Sequence, residues 1–384
     1  MEDTRFKLKH LAYLLFFTQY VRTFNLSSHD KYIVPLVLSV IFLFIGKEKI
    51  KLSDAYLLVP GVTYVTLGLV SCAAAGYWGY FSLKTGLLVL IPSLVAPVLY
   101  EKVLDRRMEI CKILFLAFAL YNCAFFSFSP FNIIVESNRA LTFGLFVIFF
   151  FINKDWDYTV LAAFFCYISH KRITLLGVVC VLCFIILAQA LMKHRLADKR
   201  KIYAVTAVIS LPAAYLLAYL TYSGGLIQLF DMINVYAMGR AVIWEVFRDF
   251  AEFDIRFTGR GLGFVLTKLD QLRVFMREGA WFGNLHSDFF AGYLELGFIG
   301  YGVWIYSYFR SFRKFTQNAE EDDRPFLFAL AAILYTFVMF LTDNVLIYIE
   351  YWLPLNIMLL DMVNRVPSYQ KKQAMLMESQ RHQF

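Results

Sequence analysis

Charge is what this sequence has least of. Only 17% of its 384 residues are Asp, Glu, Lys or Arg, against 60% apolar residues and a mean hydropathy of +0.59. A soluble domain carries about 25% charged and about 45–50% apolar residues. The apolar excess does not fit one globular core and calls for an apolar solvent, which the bilayer provides. Metal and nucleotide signatures are missing as well. There is no HExxH, no paired Asp-x-Asp, no histidine cluster and no Walker loop, so neither a metal nor a cofactor is expected. Cysteines are few: Cys72, Cys111, Cys123, Cys166, Cys180 and Cys183 all lie in or beside apolar stretches. Cys180-Val-Leu-Cys183 has zinc-knuckle spacing but no second ligand pair, and small packed hydrophobes are the expected role. No internal repeat and no low-complexity segment occurs. The first apolar run, Leu11 to Tyr20, lacks a small-residue cleavage site, so no cleavable signal is expected.

What is present is a series of apolar runs. With a spanning length of about 20 residues and interrupting charges as limits, about twelve segments emerge. They lie near 8–24, 32–46, 55–75, 83–100, 110–128, 137–153, 157–170, 173–192, 202–222, 287–309, 326–342 and 345–364. The net charge of +8 is spread over alternate loops. Basic residues gather at Arg5 to Lys9, Lys47 to Lys51, Lys102 to Lys112, Lys154, Lys193 to Lys201 and Arg310 to Arg324. They gather again at Arg365, Lys371, Lys372 and Arg381. The intervening short loops hold only Arg22, Lys31, Lys84, Arg139, Lys171 and Arg172. The positive-inside rule then puts both termini in the cytoplasm and requires an even number of spans. Nucleic-acid binding, which collects basic residues on one soluble face, is not expected. The predicted fold is an all-α polytopic membrane protein, a single membrane domain over 1–384 with about twelve transmembrane helices.

One outer loop, 223–286, stands between the ninth and tenth spans and is rich in Arg, Trp and Gly. Within it, Tyr236 to Phe253 has helical amphipathic spacing and Leu266 to Met276 reads as a second helix. Gly259 to Gly263 breaks the pattern between them. A loop this long is either functional or disordered, and its aromatic content argues against disorder.

Several residues here bear on chemistry. Arg240 and Arg248 share roughly one side of the first predicted helix. A guanidinium grips phosphate oxygens through two parallel hydrogen bonds, so Arg240, Arg248 and Arg260 are diphosphate ligands in one reading. In the other they pair with Asp249, Glu252, Asp254 and Asp270 or with lipid headgroups. Gly259-Arg260-Gly261-Leu262-Gly263 lacks the βαβ context of a dinucleotide fingerprint. It is a tight turn that lets the backbone or Arg260 approach a ligand, or a plain loop turn. His286 stands where a span begins, and a helix N-terminus disfavours a positive imidazole. A neutral imidazole there takes a proton from a substrate hydroxyl, or merely hydrogen-bonds at the interface. Asp288 orients His286 or favours the helix start. Arg139, Lys171 and Arg172 face the same outer side, as functional charges or as snorkelling ones. Glu350, near the outer end of the last span, is a partner for one of these arginines or lines a polar cavity.

The order of these motifs resembles the O-antigen polymerase and ligase superfamily. It runs from Gly239-Arg240-Ala-Val-Ile-Trp244 through Gly259-Arg260-Gly261-Leu-Gly263 and His286-Ser-Asp-Phe289 to Glu295-Leu-Gly297-Phe-Ile-Gly300. Glu136-Ser-Asn-Arg139 ahead of Phe143-Gly-Leu-Phe, and Lys171-Arg172 between spans, look like polymerase members. Ligases typically carry His-Asn where this chain has His286-Ser287. The resemblance implies a GT-C type, metal-independent, inverting glycosyltransferase of the bacterial inner membrane. Its active site would face the periplasm. It implies that a growing glycan moves from undecaprenyl diphosphate onto the non-reducing end of a new repeat unit, of O-antigen or capsule type. By similarity His286 is the general base, and Arg172 and Arg240 hold the diphosphate, with Arg139, Arg248 and Arg260 as further ligands. Asp288, Trp244 and Glu295 support the site. Trp244 and Trp281 either stack on sugars or pack the loop. The expected partners are the undecaprenyl-diphosphate-linked oligosaccharide, membrane lipid and a chain-length regulator protein. The alternatives are a ligase transferring glycan to lipid A-core and a flippase of lipid-linked oligosaccharide.

Overall fold

The computed structural model of the protein describes residues 52–102, 110–125, 139–232, 239–273, 285–316 and 322–363. The predicted spans 8–24 and 32–46, the stretch Glu136 to Asn138, and Trp281 and Asn284 lie outside the described residues. Lipid offers no hydrogen-bond partner to a backbone, so an apolar chain there must close its own bonds, which a helix does. Among the described residues every regular element is helical.

After a 3₁₀ turn (Leu52–Leu58) come α1 (Val59–Ala75), α2 (Tyr80–Lys102), α3 (Ile110–Phe125), α4 (Arg139–Asn153) and α5 (Trp156–Ile168). Next are α6 (Arg172–Lys193), α7 (Lys199–Ser223), α8 (Gly225–Met232), α9 (Arg240–Arg248) and α10 (Phe264–Arg273). Then follow α11 (Asp288–Phe312), α12 (Arg324–Phe340) and α13 at 349–363. Four stretches, Ala55–Ala75, Tyr80–Pro97, Arg172–Lys193 and Lys199–Ser223, are long and apolar enough to cross a membrane. Ile110–Leu120, α4, α5 and α12 are shorter apolar helices. The exposed faces of α6 and α7 carry Val179, Ile186, Leu187, Val208 and Ile209. An outward apolar surface of this kind is at home in acyl chains.

Two packing groups organise the helices. In the first, α4 is buried on every face from Ala140 to Phe150 and packs against α5, α6 and α12. A helix apolar all round is a core helix. Phe115, Phe143, Phe146, Phe150 and Phe165 fill the space around it, and Phe143 stacks on Phe165 at 5.1 Å. In the second, α11 packs against α1 and α7.

α11 is broken at Gly297, whose φ of 72° and ψ of −179° are not helical. A break frees carbonyls that must be satisfied, and the segment 257–262 does this. The N–H of Arg260 donates to Leu294 O at 2.8 Å, that of Gly261 to Glu295 O at 3.1 Å, and that of Phe298 to Phe257 O at 2.8 Å. From α1, Ser71 Oγ donates to Thr258 O at 2.7 Å, and Leu262 N–H donates to Gly68 O at 3.1 Å. This part of the expected surface loop therefore dips between α1 and α11. Close backbone approach requires glycine on both sides: a Cβ at Gly259 would sit 2.5 Å from Gly297 N, and one at Gly297 would sit 2.3 Å from Phe257 O. Glu295 locks the insertion, since its carboxylate accepts Tyr64 OH at 2.8 Å and the Val265 N–H at the start of α10 at 3.2 Å. The rest of the loop forms its own apolar cluster around Trp244, Phe247, Phe264, Leu285 and Phe290. Of the predicted helix over Tyr236–Phe253, 236–238 lie outside the described residues, and the described part ends at Arg248, because Phe250 N–H and Ala251 N–H turn back onto Phe247 O and Arg248 O.

Gly297→Ala combines a left-handed φ with a backbone clash and should destabilise the fold by about 3 kcal/mol or more. Gly76→Ala has a similar φ of 62° but meets nothing within 4 Å and should cost about 1 kcal/mol. Thermal unfolding of the purified protein compares them; equal shifts would contradict the backbone-insertion reading.

Candidate functional site

Several helix ends meet at one end of the bundle. The turn His170-Lys171 joins α5 to α6 and turns back through a left-handed His170, φ 53°. Lys171 is 5% exposed, and its Nζ pairs with Asp343 Oδ2 in the turn between α12 and α13. The other oxygen of Asp343 accepts the Asn344 N–H at 2.9 Å and the Tyr348 hydroxyl at 3.0 Å. Asn344 Oδ1 in turn accepts the backbone N–H of His286 at 2.7 Å. His286 itself has φ 56°, so the chain reverses just before α11. Ser287 caps that helix, its Oγ accepting Phe290 N–H at 3.3 Å. Asp288, buried, accepts Leu346 N–H at 2.7 Å and so ties the start of α11 to the same turn. Finally, Trp244 Nε1 donates to Leu285 O at 2.7 Å, which brings α9, and Arg240 at its first turn, to His286.

Electrostatics follow from this convergence. Burial pushes the His286 pKa below its ordinary 6.5; Asp343 opposes the shift, while Arg240 and Lys171 reinforce it. Removing an imidazolium from water and setting cations beside it both disfavour its charge. The imidazole is therefore neutral at pH 7, with a basic ring nitrogen available to accept a proton.

The structure places the expected site residues unequally. Arg240 and His286 come together, with Asp288 bracing the turn below them. Arg139 opens α4 one turn ahead of Thr142, whose hydroxyl donates to Glu350 O at 2.8 Å, so it stands at the same end of the bundle. Arg172 is exposed at the start of α6, whereas its neighbour Lys171 faces inward. Arg248 closes the far end of α9 against Gly224, where an added Cβ would lie 3.2 Å from its Nη2. Arg260 is committed to protein partners: Nε donates to Phe250 O at 2.8 Å, Glu252 lies 3.7 Å away, and Phe257 lies under the guanidinium at 5.5 Å. The N–H groups of Arg260 and Gly261 are likewise taken, so the glycine turn serves packing. Trp244 is 2% exposed and packs the loop. Glu295 supports α10 rather than the His286 cluster.

Comparison with protein-family models, curated proteins and solved structures finds no match to this chain.

Asp343 and Asn344 were passed over in the sequence. Their signal was present: an acidic residue between two apolar runs, 326–342 and 345–364, where an ionisable group is costly. Together the cluster sets the cations Arg240 and Lys171, the latter paired with Asp343, beside a neutral imidazole. Among the described residues no group of three His, Cys, Asp or Glu side chains is arranged for a metal.

Removing one partner of a buried pair leaves an unpaired charge, at a cost of about 3–5 kcal/mol. Asp343→Ala should lower stability by that order. The double variant Lys171→Met/Asp343→Leu should recover most of it, since an apolar pair of similar size needs no counter-charge. Chemical denaturation of the detergent-solubilised protein reads both, and a double variant as unstable as Asp343→Ala would count against the pairing.

Proposed function

We propose that the protein is a membrane glycosyltransferase that polymerises lipid-linked oligosaccharide repeat units of O-antigen or capsule type. In this reading it spans the bacterial inner membrane about twelve times and works at the periplasmic face. The donor is glycan on undecaprenyl diphosphate, and the acceptor is the non-reducing end of a fresh repeat unit. The observation that carries the reading is the meeting of Lys171, Arg240 and a neutral His286 at one end of the helix bundle.

The chemistry uses each group once. The acceptor hydroxyl loses its proton to the His286 imidazole, an effect of roughly 10²–10⁴ in rate for general bases. The hydroxyl oxygen attacks the donor sugar at C1, opposite the diphosphate. The C1–O bond to diphosphate breaks, its electron pair leaves on that oxygen, and the anomeric centre inverts. Arg240 and Lys171 stabilise the charge developing on the leaving group, as fixed cations in a poorly hydrated site do. Lys171, inward-facing, takes this role ahead of the exposed Arg172. Trp244 and Asp288 position the loop and the turn.

The test is glycan analysis in a deletion strain carrying each variant. His286→Ala and Arg240→Ala should abolish long-chain product and leave single repeat units on the acceptor, with protein still in the membrane. Long chains stranded on the carrier lipid would instead indicate a ligase, and normal polymer in the His286 and Arg240 variants would overturn the proposal.

A further inference from the structure

At the opposite end of α6 from Lys171 the chain forms a second basic feature that the proposed reaction does not use. α6 ends and α7 begins around a hollow of about 540 Å³ lined by Met192, Arg195, Lys199, Arg200, Thr316 and Asp323. Both helices are long and apolar enough to cross a membrane, and the hollow lies between the end of one and the start of the next. Leu196, beside Arg195, is 72% exposed; an apolar side chain thrust out among cations suits the boundary between headgroups and acyl chains.

The described carboxylates around this hollow make contacts of their own. Asp323 pairs with Lys199 at 2.7 Å. Asp198 caps α7, its Oδ1 accepting the Lys201 N–H at 2.7 Å. Asp322 holds Arg324 through contacts of 2.7 and 2.9 Å. Among the described residues Arg195 and Arg200 have no carboxylate partner, and the lining sets the three cations Arg195, Lys199 and Arg200 against the two carboxylates Asp198 and Asp323. The backbone reinforces this. α6 closes with Leu196 N–H donating to Leu191 O at 2.9 Å and Arg195 N–H to Met192 O at 3.0 Å, and Arg195 has φ 56°. That left-handed closing position is ordinarily glycine's. Here an arginine occupies it against the steric preference and sets its guanidinium at the rim.

We propose that this hollow binds the phosphate headgroup of an anionic phospholipid, with Arg195 and Arg200 as its ligands. Two guanidiniums match the several oxygens of a phosphodiester, and a basic pocket between helix ends at the membrane surface is suited to such a headgroup. The site is independent of the glycosyl-transfer reading and stands or falls without it.

The experiment titrates the full-length detergent-solubilised protein with phosphatidylglycerol or with zwitterionic phosphatidylcholine, counting bound lipid by native mass spectrometry. Phosphatidylglycerol should bind in preference. Arg200→Gln and Arg195→Gly should each weaken it about fivefold and leave phosphatidylcholine unchanged. Arg195→Gly separates binding from folding: glycine fits the left-handed position, so its unfolding temperature without lipid should hold or rise while lipid affinity falls. Equal binding of the two lipids, or wild-type affinity in both variants, would overturn the proposal. So would complete displacement of the lipid by millimolar inorganic phosphate, which would make free phosphate the ligand.

Discussion

A lysine and an aspartate buried against each other hold the working end of this molecule together. Lys171 comes from the turn between α5 and α6, and Asp343 from the turn between α12 and α13. Neither charge survives alone in such surroundings without a large penalty, so the pair fixes these two turns against one another. The hydrogen bonds that follow from it are directional. Asp343 orders Asn344, Asn344 holds the His286 backbone, and Asp288 returns a bond to Leu346. His286 is thus fixed by the same polar chain that secures the last two apolar helices, and Trp244 anchors α9 and Arg240 to it.

A second constraint acts in the other packing group. The backbone of α11 is interrupted at Gly297, and the 257–262 segment bonds Leu294 O, Glu295 O and the Phe298 N–H, while Ser71 of α1 donates to Leu296 O. Irregular backbone at such depth is tolerated only when buried in protein with its hydrogen bonds made. This explains why three glycines, Gly259, Gly261 and Gly263, share left-handed φ values in five residues. The insertion also aligns the loop: Glu295 fixes the start of α10, and the loop's apolar cluster then carries α9 towards the start of α11.

The helical, membrane-seeking character of the chain was legible because it rests on composition: 17% charge cannot solvate so many apolar residues. Helix ends were less so, as with α9, whose amphipathic spacing continues past the point where the chain turns. The glycine insertion was hidden for a different reason. Its partners, Gly68 and Leu294 to Gly297, are distant in sequence, and a glycine turn looks the same in solvent and inside a bundle. Among the site residues, His286 stands out in the sequence as the one histidine of the long loop, whereas Arg240 and Arg172 came ahead of the other arginines only through the resemblance. The choice between Lys171 and Arg172 was not legible, because neighbours at a helix start point in different directions and only packing decides which faces inward. Asp343 could have been found from its cost alone, as an acid between two apolar runs.

The proposed reaction needs a neutral histidine held beside cations that can meet a diphosphate. Its most direct test is the titration of His286, specifically ¹⁵N-labelled and followed by NMR in the purified protein with and without undecaprenyl diphosphate. The imidazole should be neutral at pH 7 and take up its proton only below the ordinary 6.5. Because its charged form is disfavoured in the folded protein, the associated stability is full above 6.5 and declines as pH falls through that window. Bound diphosphate brings negative charge close and should move the titration upward. A His286 already protonated at pH 7, or one whose titration ignores the diphosphate, would contradict the account.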